Sequence, residues 1–295
     1  MFKALGALIG NRHKIKNILK LDMTQKNKIV FLVFSFLCLC NLIAFLIAFD
    51  LSKESGFEVI FFDVGQGNAA LIKTGEGHYI VIDGGPDSSI IEKLSLEIPF
   101  WQKEIDLIVL THPHYDHING LIDVLNKYEV KNVMWTGVVD TTASYRSWLD
   151  LIEESRVVIA QAGQRVRGDT FYIDILYPFN SLEGESFKDL NKTSIISRLV
   201  FSDKSFIFTG DAYKAEEEML IGMFNLKSDV LSVGHHGGKT STSEEFLKQV
   251  MPSYAVISAG RGNSYGHPHS ETLELLENYG IKVLRTDVDG DIKFK

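Results

Sequence analysis

The chain has 295 residues, of which 45% are hydrophobic and 23% charged, and its net charge is −8 at pH 7. This length can hold one large domain or two small ones, and the composition is that of a globular protein. The charge is unevenly divided, because residues 1–50 carry a net +5 and residues 51–295 therefore carry −13. So acidic a region argues against a broad basic groove that would bind nucleic acid tightly without metal ions.

The uncharged run Ile29–Phe49 is 21 residues long. At 1.5 Å per residue a helix of this length spans about 32 Å, which matches the hydrocarbon core of a bilayer. A cleaved signal peptide is disfavoured, because a long segment precedes the run and no small-x-small cleavage site follows it. A buried core helix is disfavoured because the run is apolar on all sides. We interpret residues 29–49 as a transmembrane helix embedded in lipid.

Charge around this run predicts its orientation. Seven bases and one acid precede it, so the positive-inside tendency places the basic segment 1–28 in the cytoplasm and residues 51–295 outside. The segment Phe2–Leu21 fits either a short helix on the anionic inner leaflet or a disordered basic tail. Residues 50–56 are the expected linker. Both cysteines, Cys38 and Cys40, lie in the span, so the outer domain has no disulfide and no thiolate ligand.

Beyond residue 56, apolar spacing and turn residues predict alternating strands and helices. The predicted strands are Phe57–Asp63, Ala69–Lys73, Tyr79–Asp83, Ile105–Leu110, Val133–Trp135, Val157–Ala160, Phe171–Tyr177, Ser194–Phe201, Ser205–Thr209, Val230–Val233, Tyr254–Ser258 and Ile281–Arg285. The predicted helices are Ser88–Leu96, Ile118–Tyr128, Ser144–Glu154, Tyr213–Met223, Ser243–Val250 and Ser270–Tyr279. Mixed strands with helices outside them fit two stacked sheets flanked by helices.

The densest group of ligand-type side chains directly follows the predicted strand Ile105–Leu110. Pro113 disfavours the helical region for the residue before it, so the loop begins extended. In an extended segment side chains two apart point the same way, so His112, His114 and Asp116 would converge, while His117 faces a second point. Imidazole nitrogen and carboxylate oxygen suit Zn²⁺, with Mn²⁺ and iron as alternatives. The competing interpretation is a polar loop that is rich in histidine by chance.

Other polar side chains also follow predicted strands, so one edge of the sandwich could gather them. Asp211 is a candidate ligand, although it could instead be the N-cap of a helix beginning at Tyr213. His235 and His236, in a glycine-rich loop, are candidates for proton transfer, with a solvated surface role as the alternative. His267 lies in a second glycine-rich loop.

Two upstream aspartates are weaker candidates. Asp83 precedes two glycines and could hydrogen-bond a ligand histidine or merely stabilise a turn. Asp63 opens the segment Asp-Val-Gly-Gln-Gly-Asn, and it could either support a metal site or shape a turn.

These motifs resemble those of the metallo-β-lactamase superfamily, whose first metal motif matches His112-x-His114-x-Asp116-His117. The resemblance extends from about Phe57 to the C-terminus and is most similar to the domain attached to ComEC-type competence proteins. The further motifs that carry it are Asp63-Val-Gly-Gln-Gly-Asn-Ala, Ile82-Asp-Gly-Gly85, Thr209-Gly-Asp-Ala212, Val233-Gly-His-His-Gly-Gly-Lys-Thr-Ser241 and Tyr265-Gly-His-Pro-His269.

The resemblance implies an αββα sandwich with two divalent metal ions, Zn²⁺ first and Mn²⁺ as the alternative. It implies that one ion is held by Asp116, His117, Asp211 and His267, and the other by His112, His114 and Asp211. Such a pair, about 3.5–4 Å apart, would lower the pKa of a shared water towards 7. His235 or His236 would protonate the leaving group, and with Asp116 they form the candidate catalytic set.

One departure from the family pattern concerns the first ion. Many members supply a third histidine to it, but this chain has no histidine between His117 and His235. The ComEC-type pattern has an Asn-x-x-Ser stretch there, matched by Asn191-Lys-Thr-Ser194. Asn191 could coordinate weakly through its amide oxygen, or the first site could be only half built.

The leading hypothesis is a membrane-anchored hydrolase of phosphodiesters, with DNA as the substrate that the resemblance implies. A single span cannot form a channel, so DNA uptake would need a separate channel partner. A hydrolase of lactams, lactones or thioesters is an alternative, because fold alone does not select a substrate. A weakly catalytic metal-binding assembly module is a third, favoured by the incomplete first site and the −13 charge.

The charge asymmetry gives a topology prediction. Protease added to intact, wall-stripped cells should digest residues 51–295, because the basic segment keeps the N-terminus inside. Immunoblotting with one antibody to each end would follow the digestion. Protection of the C-terminal part until lysis would contradict this orientation.

Overall fold

A computed structural model of the chain describes residues 25–47 and 56–295. The chain divides into two compact units, Met1–Glu54 and Ser55–Lys295. In the first unit, helix α1 (Gln25–Ile47) is long and apolar enough to be a candidate membrane span, and its side chains are exposed. It begins four residues before the predicted run. The predictions for residues 1–24, for 48–49 and for most of the linker lie outside the described residues.

The second unit contains strands, helices and two short 3₁₀ turns. The strands, in chain order, are β1 (Glu58–Phe61), β2 (Ala69–Lys73), β3 (Tyr79–Gly84), β4 (Glu104–Ile105), β5 (Leu107–Val109), β6 (Glu129–Val130), β7 (Asn132–Trp135), β8 (Arg156–Ile159), β9 (Arg165–Arg167), β10 (Phe171–Tyr177), β11 (Ile196–Phe201), β12 (Lys204–Phe208), β13 (Val230–Ser232), β14 (Tyr254–Ile257), β15 (Lys282–Arg285) and β16 (Ile292–Phe294). The helices are α2 (Ser89–Glu97), α3 (Tyr115–Lys127), α4 (Ala143–Ile152), α5 (Lys214–Met219), α6 (Glu244–Val250), α7 (Ser270–Asn278) and α8 (Thr286–Asp289). The 3₁₀ turns are Leu190–Thr193 and Gly234–Gly237.

The strands form two large sheets and one small pair. One sheet has the order β16-β1-β2-β3-β5-β7-β8, the other has the order β15-β14-β13-β12-β11-β10-β9, and β4 pairs with β6. In each large sheet a run of strands is parallel: β3, β5, β7 and β8 in the first, and β12 to β15 in the second. Helices α2 to α4 connect the first run, and α5 to α7 connect the second.

Alternating side chains divide the interior into three apolar layers. In β1, Val59 and Phe61 pack between the sheets, whereas Ile60 packs with the layer under α2, α3 and α4. In β12, Phe206 joins the layer between the sheets and Ile207 packs on the opposite side with residues of α6 and α7. Successive strand side chains point to opposite faces, so both faces of each sheet are covered. The αββα sandwich predicted from the sequence is confirmed.

The difference from the predicted elements that matters for the site lies at the central loop. Helix α3 begins at Tyr115 rather than at Ile118, so Asp116 and His117 lie in its first turn. The backbone of His114 is still extended, with φ −75° and ψ 151°. The prediction that the extended segment reaches Asp116 is therefore wrong. A carboxylate in a first helical turn faces the positive end of the helix dipole, which favours the helical arrangement.

Two glycines permit the close approach of β3 to α3. A Cβ on Gly120 would lie 1.9 Å from the Gly84 carbonyl oxygen, and one on Gly84 would lie 2.3 Å from the Leu121 nitrogen. Neither glycine can therefore be replaced without moving α3. This contact brings the residues at the end of β3 against the first turns of the helix that carries Asp116 and His117.

A buried glutamate fixes the loop after His235 and His236. Glu217 on α5 is fully buried, and its two carboxylate oxygens accept hydrogen bonds from the backbone N–H groups of Thr242 and Ser243, both at 2.9 Å. Thr242 has a left-handed φ of 58°, and the Ser243 hydroxyl caps α6 by accepting from the Phe246 N–H. Burial raises the pKa of Glu217 to about 7, against the lowering effect of the two N–H groups.

This raised pKa gives a stability prediction. Because the folded pKa of about 7 exceeds the ordinary 4.5, the stability contributed by the proton is fully present below about pH 4.5 and is lost as the pH rises through 7. Between about pH 5 and pH 8 the parent should therefore lose about 2–3 kcal/mol of unfolding free energy relative to Glu217→Gln. Urea unfolding at both pH values measures this difference. The exposed neighbour provides a control, Glu218→Gln, that should follow the parent, and a constant difference between parent and Glu217→Gln would contradict the assignment.

Candidate metal centre

The polar side chains of the site come from the carboxyl ends of four parallel strands. Asp83 lies at the end of β3 and His112 follows β5, while Asp211 follows β12 and His236 follows β13. Parallel strands in two stacked sheets bring these ends to one edge of the sandwich. The expectation that one edge gathers the candidate ligands agrees with these positions.

Three of the predicted ligands form one group. His112 Nε2 lies 3.0 Å from His114 Nδ1 and 3.9 Å from Asp211 Oδ2. The Thr111 and Ser194 hydroxyls lie 3.2 Å and 3.3 Å from His112 Nδ1, so they orient the ring with Nε2 towards Asp211. Burial, and then the charge of His117, lower the pKa of His112 well below its ordinary value.

His117 is oriented by a buried aspartate. Its Nδ1 lies 2.8 Å from Asp83 Oδ2, and Asp83 also accepts hydrogen bonds from the backbone N–H and the hydroxyl of Thr111, both at 2.8 Å. The other ring nitrogen, Nε2, lies 3.4 Å from Asp211 Oδ1. A carboxylate behind a metal-ligating imidazole fixes its tautomer and direction in this way. The structure therefore favours the orienting role for Asp83 over a simple turn role.

His236 completes a second group with Asp116 and His117. His236 Nδ1 donates to the Ser258 carbonyl oxygen at 2.9 Å, which directs Nε2 inward. There Nε2 lies 3.2 Å from Asp116 Oδ2 and 3.6 Å from Asp211 Oδ2. Among the described residues, two groups have ligand atoms that all lie within 4.8 Å of one another: His112, His117 and Asp211, and Asp116, His117 and His236.

The electrostatics of the cluster keep its carboxylates ionised. Burial opposes the charge of Asp116, but the hydrogen bond to His236 and the charge of His117 lower its pKa to about 2. Burial also opposes the charge of Asp211, yet His236 and His117 hold its pKa well below the ordinary value. Burial lowers the pKa of His117, but the charges of Asp211 and Asp83 together raise it by more. The pKa therefore lies well above the ordinary value.

The cluster fits divalent metal ions on its own chemistry. His117 Nε2 and Asp211 Oδ1 are buried and face each other at 3.4 Å, and within residues 25–47 and 56–295 neither makes a well-formed hydrogen bond. Poorly paired buried atoms of this kind are costly, and a cation that accepts their lone pairs would remove the cost. Imidazole nitrogens with carboxylate oxygens are a donor set that suits Zn²⁺.

His267 and His235 lie beside this cluster. His267 lines a cavity of about 270 Å³ together with His114, Asp116, Asp211 and His236, and its ring centroid is 5.9 Å from that of His236. Neither of the two compact ligand groups includes it. Burial, and then His236 and His235, lower the pKa of His267 to about 4.

His235 is half-buried and has both ring nitrogens engaged. Its Nε2 lies 3.3 Å from Asn191 Nδ2, and its Nδ1 lies 3.1 Å from the Thr240 hydroxyl. Asn191 also donates from Nδ2 to the Tyr213 hydroxyl at 3.1 Å. Asn191 Oδ1 is buried and lacks a hydrogen-bond partner in the part of the chain that the structure describes. Asp211 is not the N-cap of α5, a position that Tyr213 occupies.

Asp63 is separate from the cluster. Its carboxylate accepts from the Gly65 N–H at 3.3 Å, and its backbone N–H donates to Asp291. Such contacts are those of a turn-forming aspartate. The sequence reasoning did not single out Thr111 or Ser194, although Ser194 ends the Asn-x-x-Ser stretch; its hydroxyl also accepts from the Asp211 N–H at 3.1 Å.

The chain matches a known family. The Metallo-beta-lactamase superfamily matches residues 62–261, and the chain belongs to this superfamily and has its metal-dependent hydrolase fold. It is 33% identical over 278 residues to ComE operon protein 3 of Bacillus subtilis, covering 87% of this chain and 35% of that one. It is 31% identical over 246 residues to Competence protein ComA of Neisseria gonorrhoeae, covering 82% and 32%. The chain thus spans about a third of the length of these relatives.

Solved structures agree on the fold. The metallo-beta-lactamase fold protein YhfI from Bacillus subtilis aligns with a TM-score of 0.54 at 14% identity, covering 81% of this chain and 99% of that one. Igni18, a metallo hydrolase from Ignicoccus hospitalis, aligns with a TM-score of 0.52 at 18% identity, with 81% and 99% covered. The TM-scores establish a shared fold, while identities this low leave the substrate open.

Measurement of bound metal distinguishes the roles of His236 and His267. His236→Ala should lower bound metal by about one equivalent, because it removes an inward-facing Nε2 from a compact ligand group. His267→Ala should retain the metal of the parent. Elemental analysis of the detergent-solubilised full chain after dialysis measures both, with His78→Ala, whose ring contacts Asp106 and Glu76, as a control. Loss in His267→Ala together with retention in His236→Ala would instead support the ligand set that the family resemblance implied.

Proposed function

We propose that the chain is a membrane-anchored, metal-dependent phosphodiesterase that acts on DNA or a related phosphodiester. The observation that carries this proposal is the position of Asp211 among three inward-facing imidazoles. Its Oδ1 lies 3.4 Å from His117 Nε2, while its Oδ2 lies 3.6 Å from His236 Nε2 and 3.9 Å from His112 Nε2. Both carboxylate oxygens thus face imidazole nitrogens, so Asp211 would be available to two cations held by these rings.

The compact group of Asp116, His117 and His236 leads us to revise one part of the ligand assignment. We assign His112, His114 and Asp211 to one ion, and Asp116, His117, Asp211 and His236 to the other, so that His236 takes the place expected of His267. Asn191 Oδ1 is a further candidate donor, because it is buried without a partner among the described residues. We assign Zn²⁺ first and Mn²⁺ second, because the donors are nitrogen and oxygen without sulfur.

Two divalent ions at these positions would supply Lewis-acid polarisation and a water of lowered pKa. The chain's own groups orient the proposed ligands: Asp83 and the Ser258 carbonyl oxygen fix the directions of the His117 and His236 rings. Metal charge is also what a phosphodiester needs in a domain of net charge −13, because the carboxylates alone would repel it.

We assign proton donation to the leaving oxygen to His235, since His236 is placed among the ligands. His235 lies at the edge of the cluster, with its ring centroid 5.4 Å from that of His267, which lines the cavity. Its Nδ1 is held by Thr240. Nε2 faces the Asn191 amide N–H group and therefore accepts from it, so the neutral ring carries its proton on Nδ1. Donation from Nε2 to a leaving oxygen that replaced the amide would require the imidazolium form, in which both ring nitrogens carry a proton.

DNA is favoured as the substrate by the competence-protein relatives. Helix α1 supports membrane anchoring through lipid, and the basic residues before it support a cytoplasmic N-terminus. We further propose that residues 57–295 are the catalytic domain, that residues 50–56 link it to the anchor, and that a separate channel protein is its partner in DNA uptake.

The proton-donor assignment predicts a dependence on the leaving group. His235→Ala should slow hydrolysis of a DNA strand by 10²–10⁴-fold, because its alkoxide leaves poorly without a proton. An aryl phosphodiester, whose phenolate leaves well unprotonated, should lose much less. Asp211→Asn should impair both substrates alike because it removes the bridging ligand. The ratio of the two rates in each variant, at matched metal content, is the measurement.

Two outcomes would contradict the proposal. Equal losses on the two substrates in His235→Ala would contradict proton donation by His235. Absence of phosphodiester hydrolysis by the parent with Zn²⁺ and with Mn²⁺, together with turnover of a lactone or thioester, would place the chain among carbonyl hydrolases of the same fold.

A further inference from the structure

We propose that Tyr115 and Tyr265 form a nucleobase-stacking subsite at the mouth of the metal-centre cavity, which selects an unpaired nucleotide strand. This inference rests on the proposed phosphodiesterase function and adds the class of substrate. The two residues lie 150 positions apart in sequence, yet their hydroxyl oxygens are 3.2 Å apart. Both line the same cavity of about 270 Å³ as Asp116, Asp211 and His236.

Each tyrosine lies next to a histidine of the site. Tyr115 directly follows His114 and is the first residue of α3. Tyr265 lies in the loop before α7, and its ring stacks on the His267 ring with centroids 5.8 Å apart and planes at 22°. The two rings therefore line the cavity from different elements, one from the start of α3 and the other from the loop before α7.

Both aromatic rings are unusually open to solvent for residues beside a buried site. Tyr115 is 50% exposed and Tyr265 is 55% exposed. Neither ring thus stabilises the fold mainly by burial, and each offers an aromatic face to a ligand. A purely structural role would be a phenol–phenol latch between the two loops, which replacement by phenylalanine would abolish.

The loop that carries Tyr265 is held in place before any ligand binds. The Asn263 side chain accepts hydrogen bonds from the backbone N–H groups of Tyr265 and His267 at 3.2 Å and 3.0 Å, and it donates to the carbonyl oxygens of Gly260 and His267. The Gly260 N–H donates to the Gln66 side chain, which lines the same cavity. A fixed aromatic platform loses little conformational freedom when a base stacks on it.

The size of the cavity and the net charge of the domain favour a single strand over a duplex at this subsite. A cavity of about 270 Å³ is small, below the usual range of about 300–1,000 Å³ for drug-sized ligands, so a phosphate would enter while its base stays at the mouth. In a duplex the bases are stacked on one another and are not free to lie on a tyrosine. The net charge of −13 on residues 51–295 leaves base stacking, which needs no basic groove, as a suitable second source of affinity.

Steady-state kinetics on two labelled single strands would test the subsite. One strand carries bases and the other has the same backbone with abasic positions around the cleavage site. Tyr115→Ala and Tyr265→Ala should each raise KM for the base-containing strand by roughly 5- to 100-fold, with little change for the abasic strand. The phenylalanine variants keep the ring and should resemble the parent. Tyr279→Ala, at an exposed tyrosine that bonds Glu244 on α6, is the control.

Fluorescence anisotropy of the same strands on the full chain with its metal, read before cleavage, gives a readout that does not require turnover. Tyr-dependent binding of the base-containing strand supports the subsite even where the parent cleaves no phosphodiester, an outcome that would overturn the proposed function alone. Equal KM and equal binding for the two strands, unchanged in the alanine variants, would overturn the subsite alone. Losses in the phenylalanine variants as large as those in the alanine variants would overturn stacking in favour of the latch.

Discussion

A buried carboxylate, Asp211, is the group on which the arrangement of the site depends. It is 2% exposed, and an ionised carboxylate removed from water is costly unless opposite charges surround it. His117 and His236, whose pKa values are raised, supply that charge, and they follow strands of two different sheets. Leaving such a group unpaired would cost about 3–5 kcal/mol. The relative position of the two sheets is therefore constrained by the charges at their common edge as well as by the apolar layers.

The fold was predictable because short apolar runs bounded by turn residues are local information. Val59, Ile60 and Phe61 belong to such a run, which is typical of a strand buried on both faces, and the structure packs them alternately into two apolar layers. Strands β9 and β16 were missed because they are three residues long and polar in part, so pairing with a neighbouring strand decides their structure. The helical first turn at Asp116 was missed because the extended pattern of the preceding residues was continued too far.

The ligand set was harder to predict than the fold. The family resemblance assigned His267 to the second ion and gave His235 or His236 the role of proton donor, whereas we propose His236 as the ligand. This proposal depends on backbone conformation: His235 and His236 both have positive φ values, 51° and 54°. This turn sends the adjacent rings to different partners, with His236 Nδ1 on the Ser258 carbonyl and His235 Nδ1 on the Thr240 hydroxyl. No spacing rule in the sequence encodes that divergence.

The proposed function and the charge of the domain together constrain how a polyanion could be bound. With a net −13 on residues 51–295, few phosphates of a strand would find a cation on the protein surface, so contacts would concentrate on one phosphate at the metal ions and one base at the tyrosines. Two local contacts of this kind give modest affinity, because ordering a flexible strand costs free energy. A membrane anchor of the kind we propose would offset this cost, because it would hold the domain near strands that cross the membrane and raise their effective concentration. In the proposed function, acidic charge and anchoring are therefore compatible, since location at the membrane would replace the affinity that a basic surface provides in other proteins.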